Sequence, residues 1–478
     1  MEKFSSVKDL EKFYKKFENK SLRVLLDYVN QIYPNITITL NKGIAGQILE
    51  AVIGNAPNSS PNPDVKDIDV ELKVLPLRKI SNKIQPKERS KIKSLNYNKI
   101  VKEDWETSEV RSKMQKILFL LYEHPTGKTF EDWEEFIFKG TLLYEIANEN
   151  EEIVQNDWQQ IKNKVASEQA DTISEGHSKV LGACTSGTGK LIPYGNGKTA
   201  KQRSYSLKHN YLKVFYEEKV GKQKFVTLEL KEDIEPQDFV LNQFNLNLKG
   251  RNLKNLVDKY QVKFSIQAKS SFSLLINRIL KVDDKTKIRD LEENGIAIKT
   301  IPVSPKNKPW EAMSFPKFSL VDLIEEEWES DENEAEFKKI ITQGFIFIPI
   351  IKEKEKYIDK GEIKERYKDW TTWQIGTPIY WKASDEVVSI IKQEWEKAKE
   401  IVKQGVYVEN VKFGSGYRQE NNLLKSSNTK VIHIRPHAND SKDIDVPYYE
   451  YTKNKVGISW QSFWLNKSFI ESIINLKK

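Results

Sequence analysis

The chain has 478 residues, which is too long for one ordinary hydrophobic core, so two or three domains are expected. An apolar fraction of 38% with eleven tryptophans excludes a broadly disordered chain. The net charge of +8 favours a polyanionic partner, although a lysine-rich protein without such a partner fits the charge equally well.

The cysteine and histidine content limits the chemistry further. The one cysteine, Cys184, excludes a disulfide framework within the chain and fits a reducing cytoplasm. Five scattered histidines form no zinc-type spacing with it. Residues 1–20 are charged throughout and no apolar run reaches the length of a membrane span. We therefore expect a cytoplasmic protein without an export signal or a membrane anchor.

The first predicted elements lead to an acidic strand. Residues 7–32 carry apolar side chains at helical spacing. The stretch "IAGQILEAVIG" (44–54) predicts a helix that ends at Gly54, because glycine favours the position after a helix. A loop, "NAPNSSPNP" (55–63), follows, and "DIDVELKVLPL" (67–77) alternates as a strand does.

The later elements complete a mixed pattern of helices and strands. Residues 105–122 and 151–166 are predicted to be helical, and "GISWQSFWLN" (457–466) predicts a strand that leads into a helix. This alternation favours a mixed α/β fold in which helices flank a central sheet.

Four segments of the first half recur, in the same order, in the second half. Such a repeat predicts two tandem copies of one domain of roughly 230 residues. The acidic stretch "KEDIEPQDF" (231–239) is the expected joint, which gives domains 1–230 and 241–478 with a linker at 231–240. The paired segments are 19–27 with 250–258, 42–54 with 269–281, 64–77 with 290–303, and 205–212 with 463–470.

Acidic residues gather around the predicted strand. Alternation places Glu71 and Lys73 on one face of the strand, and Asp64 stands at its entry. Glu50 lies in an otherwise apolar helix, where a carboxylate is costly unless it is paired or binds a metal. Hydrolysis of a phosphodiester needs carboxylates that hold a divalent cation and a cation beside the attacking water. The alternatives are a Glu50 that reaches solvent, an Asp64 that only forms a turn, and Glu71 and Lys73 as part of a cross-strand salt-bridge pattern.

The stretch "KGIAGQILEAVIG…PDVKDIDVELKVLPL" resembles the nuclease core of MutH, and more closely that of the two-domain type II restriction endonucleases related to MutH, which cut at GATC. Its "PD…ELK" fits the wider PD-(D/E)XK nuclease pattern. "WETSEVRSKMQKILFL" (105–120) and "YSLKHNYL" (205–212) are similar to family segments that follow the core strands and lie near DNA. The resemblance implies two tandem copies of the MutH-like fold, Mg²⁺ as cofactor and Lys73 as the catalytic lysine. The implied metal ligands are Glu50, Asp64 and Glu71, with the Leu72 carbonyl as a further candidate.

The second copy departs from this carboxylate pattern. When Asp290 is aligned with Asp64, Ala297 takes the place of Glu71 and Lys299 that of Lys73. Asn277 takes the place of Glu50. Alanine cannot hold a metal and asparagine is neutral, so we expect a nuclease fold without catalytic activity.

The second copy nevertheless has a candidate base-reading loop. "VIHIRPHANDS" (431–441) resembles the Arg-Pro-Lys loop of MutH, with His437 in the place of the lysine, and Arg435 could read a guanine edge through two hydrogen bonds. The first copy has no Arg-Pro there, so the two copies need not read DNA alike. The remaining predicted DNA contacts are Arg203, Tyr205, Lys208 and His209 in the first copy and Lys467 in the second.

These observations favour a magnesium-dependent type II restriction endonuclease that makes double-strand cuts, with GATC as the expected site. The C-terminal domain would bind a second site as an allosteric effector. We expect a monomer that associates or loops on DNA, and a cognate DNA methyltransferase as functional partner. The alternatives are a mismatch-repair-type nicking endonuclease and a non-catalytic DNA-binding protein.

Overall fold

The chain forms two compact units, and one short segment from within the sequence of the second unit belongs to the first. The first unit contains Met1–Lys222 together with Val321–Ala335, and the second contains Gln223–Leu320 and Glu336–Lys478. No helix of the described residues is long and apolar enough to cross a membrane. The computed structural model describes residues 2–57, 62–80, 83–173, 178–187, 189–195, 197–231, 234–268, 270–330, 333–359, 362–414, 416–438, 443–445, 451–453 and 457–475.

The first unit is a mixed α/β domain. Its helices are α1 (Val7–Lys15), α2 (Leu22–Ile32), α3 (Ile44–Ala51), α4 (Tyr97–Ile100), α5 (Glu109–Met114), α6 (Ile146–Glu149), α7 (Glu151–Ala166) and α8 (His209–Lys219). Its strands are β1 (Glu71–Ile80), β2 (Lys83–Pro86), β3 (Ser90–Ser94), β4 (Lys116–Glu123), β5 (Ile137–Glu145), β6 (Leu181–Thr185), β7 (Leu191–Tyr194), β8 (Lys198–Lys201) and β9 (Arg203–Leu207).

The central sheet of this unit has the order β2-β1-β4-β5, and only β1 and β4 run parallel. Leu118 and Leu120 of β4 join one hydrophobic cluster, while Ile117 and Phe119 join another. Strand β4 is therefore buried on both faces, which explains its unbroken apolar run. The predicted helix over 105–122 is wrong for this reason: only α5 and a 3-10 turn at Trp105–Thr107 are helical there. The predicted helix at 151–166 is confirmed as α7.

A second sheet, β3-β9-β6, is antiparallel and packs in the same cluster as Ile117. The hairpin β7-β8 leads into it. Helix α3 ends at Ala51, three residues before the predicted Gly54. Gly54 lies in the turn that follows, with φ +79, a conformation that costs glycine little.

The second unit is also mixed α/β. Its helices are α9 (Pro236–Asn247), α10 (Leu253–Lys259), α11 (Ser270–Ile279), α12 (Arg289–Glu293), α13 (Leu320–Glu325, mostly in the first unit), α14 (Glu336–Ile341), α15 (Asp385–Lys403) and α16 (Lys467–Asn475). Its strands are β10 (Lys224–Val226), β11 (Thr286–Ile288), β12 (Ile296–Val303), β13 (Met313–Phe318), β14 (Gly344–Ile351), β15 (Lys354–Asp359), β16 (Glu362–Tyr367), β17 (Gln374–Ile375), β18 (Ile379–Lys382), β19 (Val408–Phe413), β20 (Gly416–Asn421), β21 (Ile432–Pro436) and β22 (Gln461–Leu465).

The sheets of the second unit have the same plan as those of the first. Strands β12 and β14 pair in parallel, and β14 also pairs antiparallel with β17 and β18. A separate sheet has the order β13-β22-β21. The strand and helix predicted at 457–466 are β22 and the start of α16. Residues 236–240 of the predicted linker already belong to α9. This shared plan supports a duplication, whose boundary stays a prediction.

A carboxylate that accepts several backbone N–H groups recurs in both units, buried in the first and partly exposed in the second. Asp157 of α7 accepts hydrogen bonds from the backbone N–H groups of three residues at the start of β6, at 2.7–2.9 Å. Glu394 of α15 accepts from three backbone N–H groups at the start of β21, the shortest at 2.5 Å. Charge-assisted bonds of this kind fix the start of a strand firmly. In the second unit this strand leads to the loop for which base reading is predicted.

The segment Val321–Ala335 is acidic and is held to the first unit by ion pairs. Asp322 Oδ1 lies 3.0 Å from an Arg78 guanidinium nitrogen, and both side chains are less than a tenth exposed. Glu334 forms a hydrogen-bonded pair with Arg89 that is equally buried. Glu329 pairs with Lys201 at 2.5 Å on the surface. Buried arginines require such counter-charges, so the first unit depends on this segment.

Candidate active site

A tight turn explains the seven-residue spacing between Asp64 and Glu71. Val65 and Val70 pair as an isolated antiparallel bridge, with N–H to O distances of 2.9 and 3.2 Å. Asp69 between them adopts the left-handed conformation at φ +52, which aspartate tolerates. The turn brings Asp64 back to the strand, where its Oδ2 accepts the backbone N–H of Leu72 at 2.9 Å. Asp64 is thus fixed next to the first residues of β1.

Glu71 is the buried centre of the site. Its side chain is 3% exposed, and its Oε1 lies 2.7 Å from the ammonium groups of both Lys73 and Lys113. The Lys73 contact confirms that Glu71 and Lys73 share a face of β1. Glu71 Oε2 is buried and has no hydrogen-bond partner among the residues that the structure describes. A buried oxygen without a donor is costly, so this position suits a ligand that the protein itself does not supply.

Glu50 approaches from the last turn of α3, which packs against β1. The residue before it, Leu49, is fixed because its carbonyl accepts the hydroxyl of the fully buried Tyr14 at 2.9 Å. Glu50 itself is partly buried, which argues against a side chain that simply reaches solvent.

Burial and neighbouring carboxylates raise the pKa values of Glu50 and Asp64. Burial raises the pKa of Glu50 to about 7, the charge of Asp64 adds to this, and the ammonium group of Lys73 opposes it. Burial also raises the pKa of Asp64, with the charge of Glu71 adding and the Leu72 N–H opposing. Burial and the two acids Glu50 and Asp64 raise the pKa of Tyr14 well above its usual value. Three carboxylates that face two ammonium groups favour a further cation.

The donor set suits Mg²⁺, which prefers oxygen ligands and retains several waters. The buried Glu71 Oε2 and the mutual repulsion of the three carboxylates are the features that fit such an ion. In the described part of the chain, no three His, Cys, Asp or Glu side chains are close enough together to coordinate a metal ion. Lysine ammonium groups contact Glu71 instead. Roles for Glu50, Asp64, Glu71 and the Leu72 carbonyl as ligands therefore stay predictions.

Lys113 was not predicted from the sequence. It lies on α5, which ends immediately before β4, and β4 pairs with β1 so that Ile117 stands opposite Glu71. This parallel pairing brings Lys113 to Glu71 from 42 residues away. The missed signal is the apolar run "ILFLLY", which marks a buried strand after a short helix and not one continuous helix.

The predicted DNA-facing patch of the first unit is only partly exposed. Tyr205 is 3% exposed within the hydrophobic core, so its assignment to a DNA-facing surface is wrong. Arg203, Lys208 and His209 are half-buried and bind backbone carbonyls of Ala183, Ser178 and Pro86, respectively. These three stay predictions as DNA contacts.

The second unit lacks the carboxylate cluster at the matching positions, all of which lie among the described residues. Asn277 lies on α11, with its side-chain amide near the Asp283 carbonyl, and Ala297 lies on β12 opposite Phe345. Asp290 lies in the first turn of α12. Its carboxylate accepts the backbone N–H of Leu228 at 2.7 Å, whereas Asp64 accepts an N–H from the strand that follows it. The geometry around Asp64 is therefore not repeated.

The predicted DNA contacts of the second unit are exposed. Arg435 and His437 lie at the end of β21, and Lys467 is the first residue of α16. The Arg435 guanidinium lies 5.3 Å from the centre of the Trp464 ring, and His437 Nδ1 lies 3.0 Å from Ser462 Oγ. Stacking on an aromatic ring limits the motion of an arginine without using its hydrogen-bond donors.

Comparison with known proteins agrees with this site. The family model of the DNA mismatch repair enzyme MutH matches residues 53–157. The chain is similar to the type II restriction enzyme Sau3AI of Staphylococcus aureus, with 27% identity across 91% of this chain and 93% of that protein.

Similarity to MutH proteins is confined to about a third of the sequence. The DNA mismatch repair protein MutH of Vibrio vulnificus is 28% identical over 34% of this chain and 68% of its own length. That of Yersinia enterocolitica is 30% identical over 29% of this chain and 59% of its length. The family match contains Asp64, Glu71, Lys73 and Lys113, and the restriction enzyme aligns over nearly the whole chain. The chain is therefore similar to the MutH-related type II restriction endonucleases, and these similarities indicate a site-specific deoxyribonuclease.

Proposed function

We propose that this chain makes magnesium-dependent double-strand cuts in DNA at GATC, with the first unit carrying out the chemistry. The observation that carries the proposal is the buried Glu71, which two lysines contact on one oxygen and which has no partner on the other among the described residues. Glu50, Asp64 and Glu71 would hold Mg²⁺, which when bound supplies positive charge that stabilises the transition state of phosphodiester hydrolysis.

The residues of the chain have separate tasks in this proposal. Lys73 would orient the attacking water through its ammonium group. Its side chain is a quarter exposed, so this group can approach a bound DNA strand. Lys113 is more buried and would hold Glu71 in place. The Leu72 N–H would hold the Asp64 carboxylate toward the site. Such preorganised charges act without rearrangement during the reaction.

GATC is proposed from the resemblance of this chain to the two-domain enzymes related to MutH. The near-complete alignment with a type II restriction enzyme favours restriction over mismatch-repair nicking, because the MutH proteins align with only about a third of the chain. A non-catalytic DNA-binding protein is disfavoured by the paired lysines around an otherwise costly buried carboxylate. A restriction role also requires a methyltransferase that protects the host's own sites.

The second unit is proposed to be a silent copy that binds a second recognition site and activates the first. Its lost carboxylates at Asn277 and Ala297, combined with exposed Arg435 and His437, support binding without cleavage. The protein would then work as a monomer that loops between two sites or associates on DNA, because a second site on the same molecule acts at a raised effective concentration.

The test is digestion of one plasmid with Mg²⁺ and, separately, with a chelator, followed by sequencing of the cut ends. We expect double-strand ends at GATC only when Mg²⁺ is present. Nicked circles as the final product would favour the mismatch-repair alternative. A purified, folded chain that binds DNA but cuts under no divalent cation would overturn the proposal.

A further inference from the structure

Two lysines outside the described site converge on one carboxylate. The ammonium groups of Lys93 and Lys99 contact different oxygens of Glu109, so that the carboxylate is held from both sides. Lys99 also lies 3.6 Å from Glu103. Two ammonium groups around one carboxylate form the arrangement that also fits a phosphate, whose oxygens have similar spacing and charge.

These lysines lie at the same end of the unit as Glu71. Lys93 is near the end of β3, Lys99 is on α4, and Glu109 is the first residue of α5. The same short helix carries Lys113, which contacts Glu71. A small cavity between these elements is lined by both lysines, Ser94 and Asn96. A DNA strand with its scissile phosphate beside Glu71 would therefore pass close to the pair.

The ammonium group of Lys93 is partly desolvated and lies near two other ammonium groups. Burial lowers the pKa of Lys93, and the ammonium groups of Lys99 and Lys113 lower it further, against the opposing charge of Glu103. A phosphate in the place of Glu109 would offset the same repulsion among the ammonium groups.

The carboxylate that now holds the lysines can be displaced. The side chains of Lys99 and Glu109 are 50% and 36% exposed, and that of Lys93 is 30% exposed. Ion pairs with this exposure contribute little net free energy, because water screens both charges. A DNA phosphate, which remains fully charged, could replace Glu109 at low cost.

We infer that Lys93 and Lys99 form a phosphate-binding subsite for the DNA backbone next to the scissile position, which Glu109 occupies in the absence of DNA. The inference rests on the DNA-cutting function proposed above and adds a positioning contact to it. Phosphate contacts of this kind fix the register of the strand and do not read its sequence.

The first experiment measures DNA affinity of the full chain without cleavage, in chelator, across a series of salt concentrations. Lys93→Gln and Lys99→Gln should weaken binding and reduce the salt slope by about one per lost phosphate contact. Glu109→Gln should have the opposite effect and tighten binding, because it removes the competing anion. Lys15→Gln, an exposed lysine on α1, is the matched control and should change neither value.

The second experiment replaces single phosphates of the duplex by neutral methylphosphonates, one position at a time. At one position near the cut, neutralisation should weaken binding by the wild-type chain and leave binding by the Lys93→Gln/Lys99→Gln chain unchanged. If the wild-type and double-variant chains responded alike at every phosphate position, the proposed subsite would be excluded. Binding by Glu109→Gln that is weaker than or equal to wild-type binding would also exclude it. Because binding is measured without Mg²⁺, the result is separate from whether the wild-type chain cuts DNA.

Discussion

Lys113 Nζ and Lys73 Nζ both lie 2.7 Å from the same oxygen of Glu71, although one lysine comes from α5 and the other from β1. The two bonds hold a carboxylate that is 3% exposed in one position between a helix and a strand. Removal of either lysine leaves less compensation for a buried charge.

The first prediction concerns Lys113. Lys113→Ala should lower the single-turnover cleavage rate about 10- to 100-fold, which is the usual effect of removing a residue that positions a metal ligand. Lys113→Arg keeps the charge and should retain more activity than the alanine variant. Wild-type cutting by Lys113→Ala, in a chain with unchanged circular dichroism, would exclude this role.

The second prediction concerns the carboxylates. Asp64→Ala and Glu71→Ala should each cost several kcal/mol of transition-state stabilisation, because both would serve one metal. The double variant should be little worse than either single variant. Asp67→Ala removes an exposed acid of the same turn and is the control, which should cut at the wild-type rate. Fully additive effects of the two site variants would contradict a shared ion.

The third prediction follows from the raised pKa of Glu50. Its pKa is about 7 in the folded chain against 4.5 for the unconstrained group, so the folded state binds the proton more tightly. The stability from this proton is complete below pH 4.5 and is lost as pH rises to about 7. Relative to Glu50→Gln, the wild-type free energy of unfolding should fall by about 3 kcal/mol over this window, at 1.36 kcal/mol per pKa unit.

The measurement for Glu50 is chemical denaturation of both chains in chelator at several pH values. A difference between the two chains that does not depend on pH would show that Glu50 titrates normally. Added Mg²⁺ should reduce the loss at neutral pH, because a bound cation replaces the proton.

The fourth prediction concerns the second unit. Asp290→Ala and Lys299→Ala should leave single-turnover cutting at the wild-type rate, because Asn277 and Ala297 already lack the carboxylates. Loss of cleavage with intact DNA binding, in either variant, would show that the second unit takes part in the chemistry.

The fifth prediction concerns coupling between the units' DNA sites. A plasmid with two sites should be cut faster per site than a plasmid with one, and a short uncleavable duplex with the site should rescue the one-site plasmid. Arg435→Ala should weaken the rescue by the loss of a base contact worth roughly 1–3 kcal/mol. Arg418→Ala, an exposed arginine of the same unit, is the control. Equal per-site rates at all DNA concentrations would exclude the effector role.

The sequence predicted the acidic strand well because its signals are local. Glu71 and Lys73 are two residues apart on one strand, so alternation alone places them together. Lys113 could not be predicted, because its approach to Glu71 depends on which strand pairs with β1. Tyr205 was misplaced for a related reason: β9 is the central strand of its sheet and residues 204–207 are all buried, although the flanking Arg203 and Lys208 are polar.

The acidic segment Val321–Ala335 bears on how the enzyme can be dissected. A fragment that stops near residue 222 would keep Arg78 and Arg89 but lose Asp322 and Glu334, which pair with them in the interior. Loss of one partner from a buried ion pair costs about 3–5 kcal/mol, a large part of the stability of an ordinary domain. Truncation at the apparent boundary would thus destabilise the nuclease for reasons unrelated to catalysis. A viable minimal enzyme must carry this acidic segment with it, grafted through a linker or added as a separate peptide.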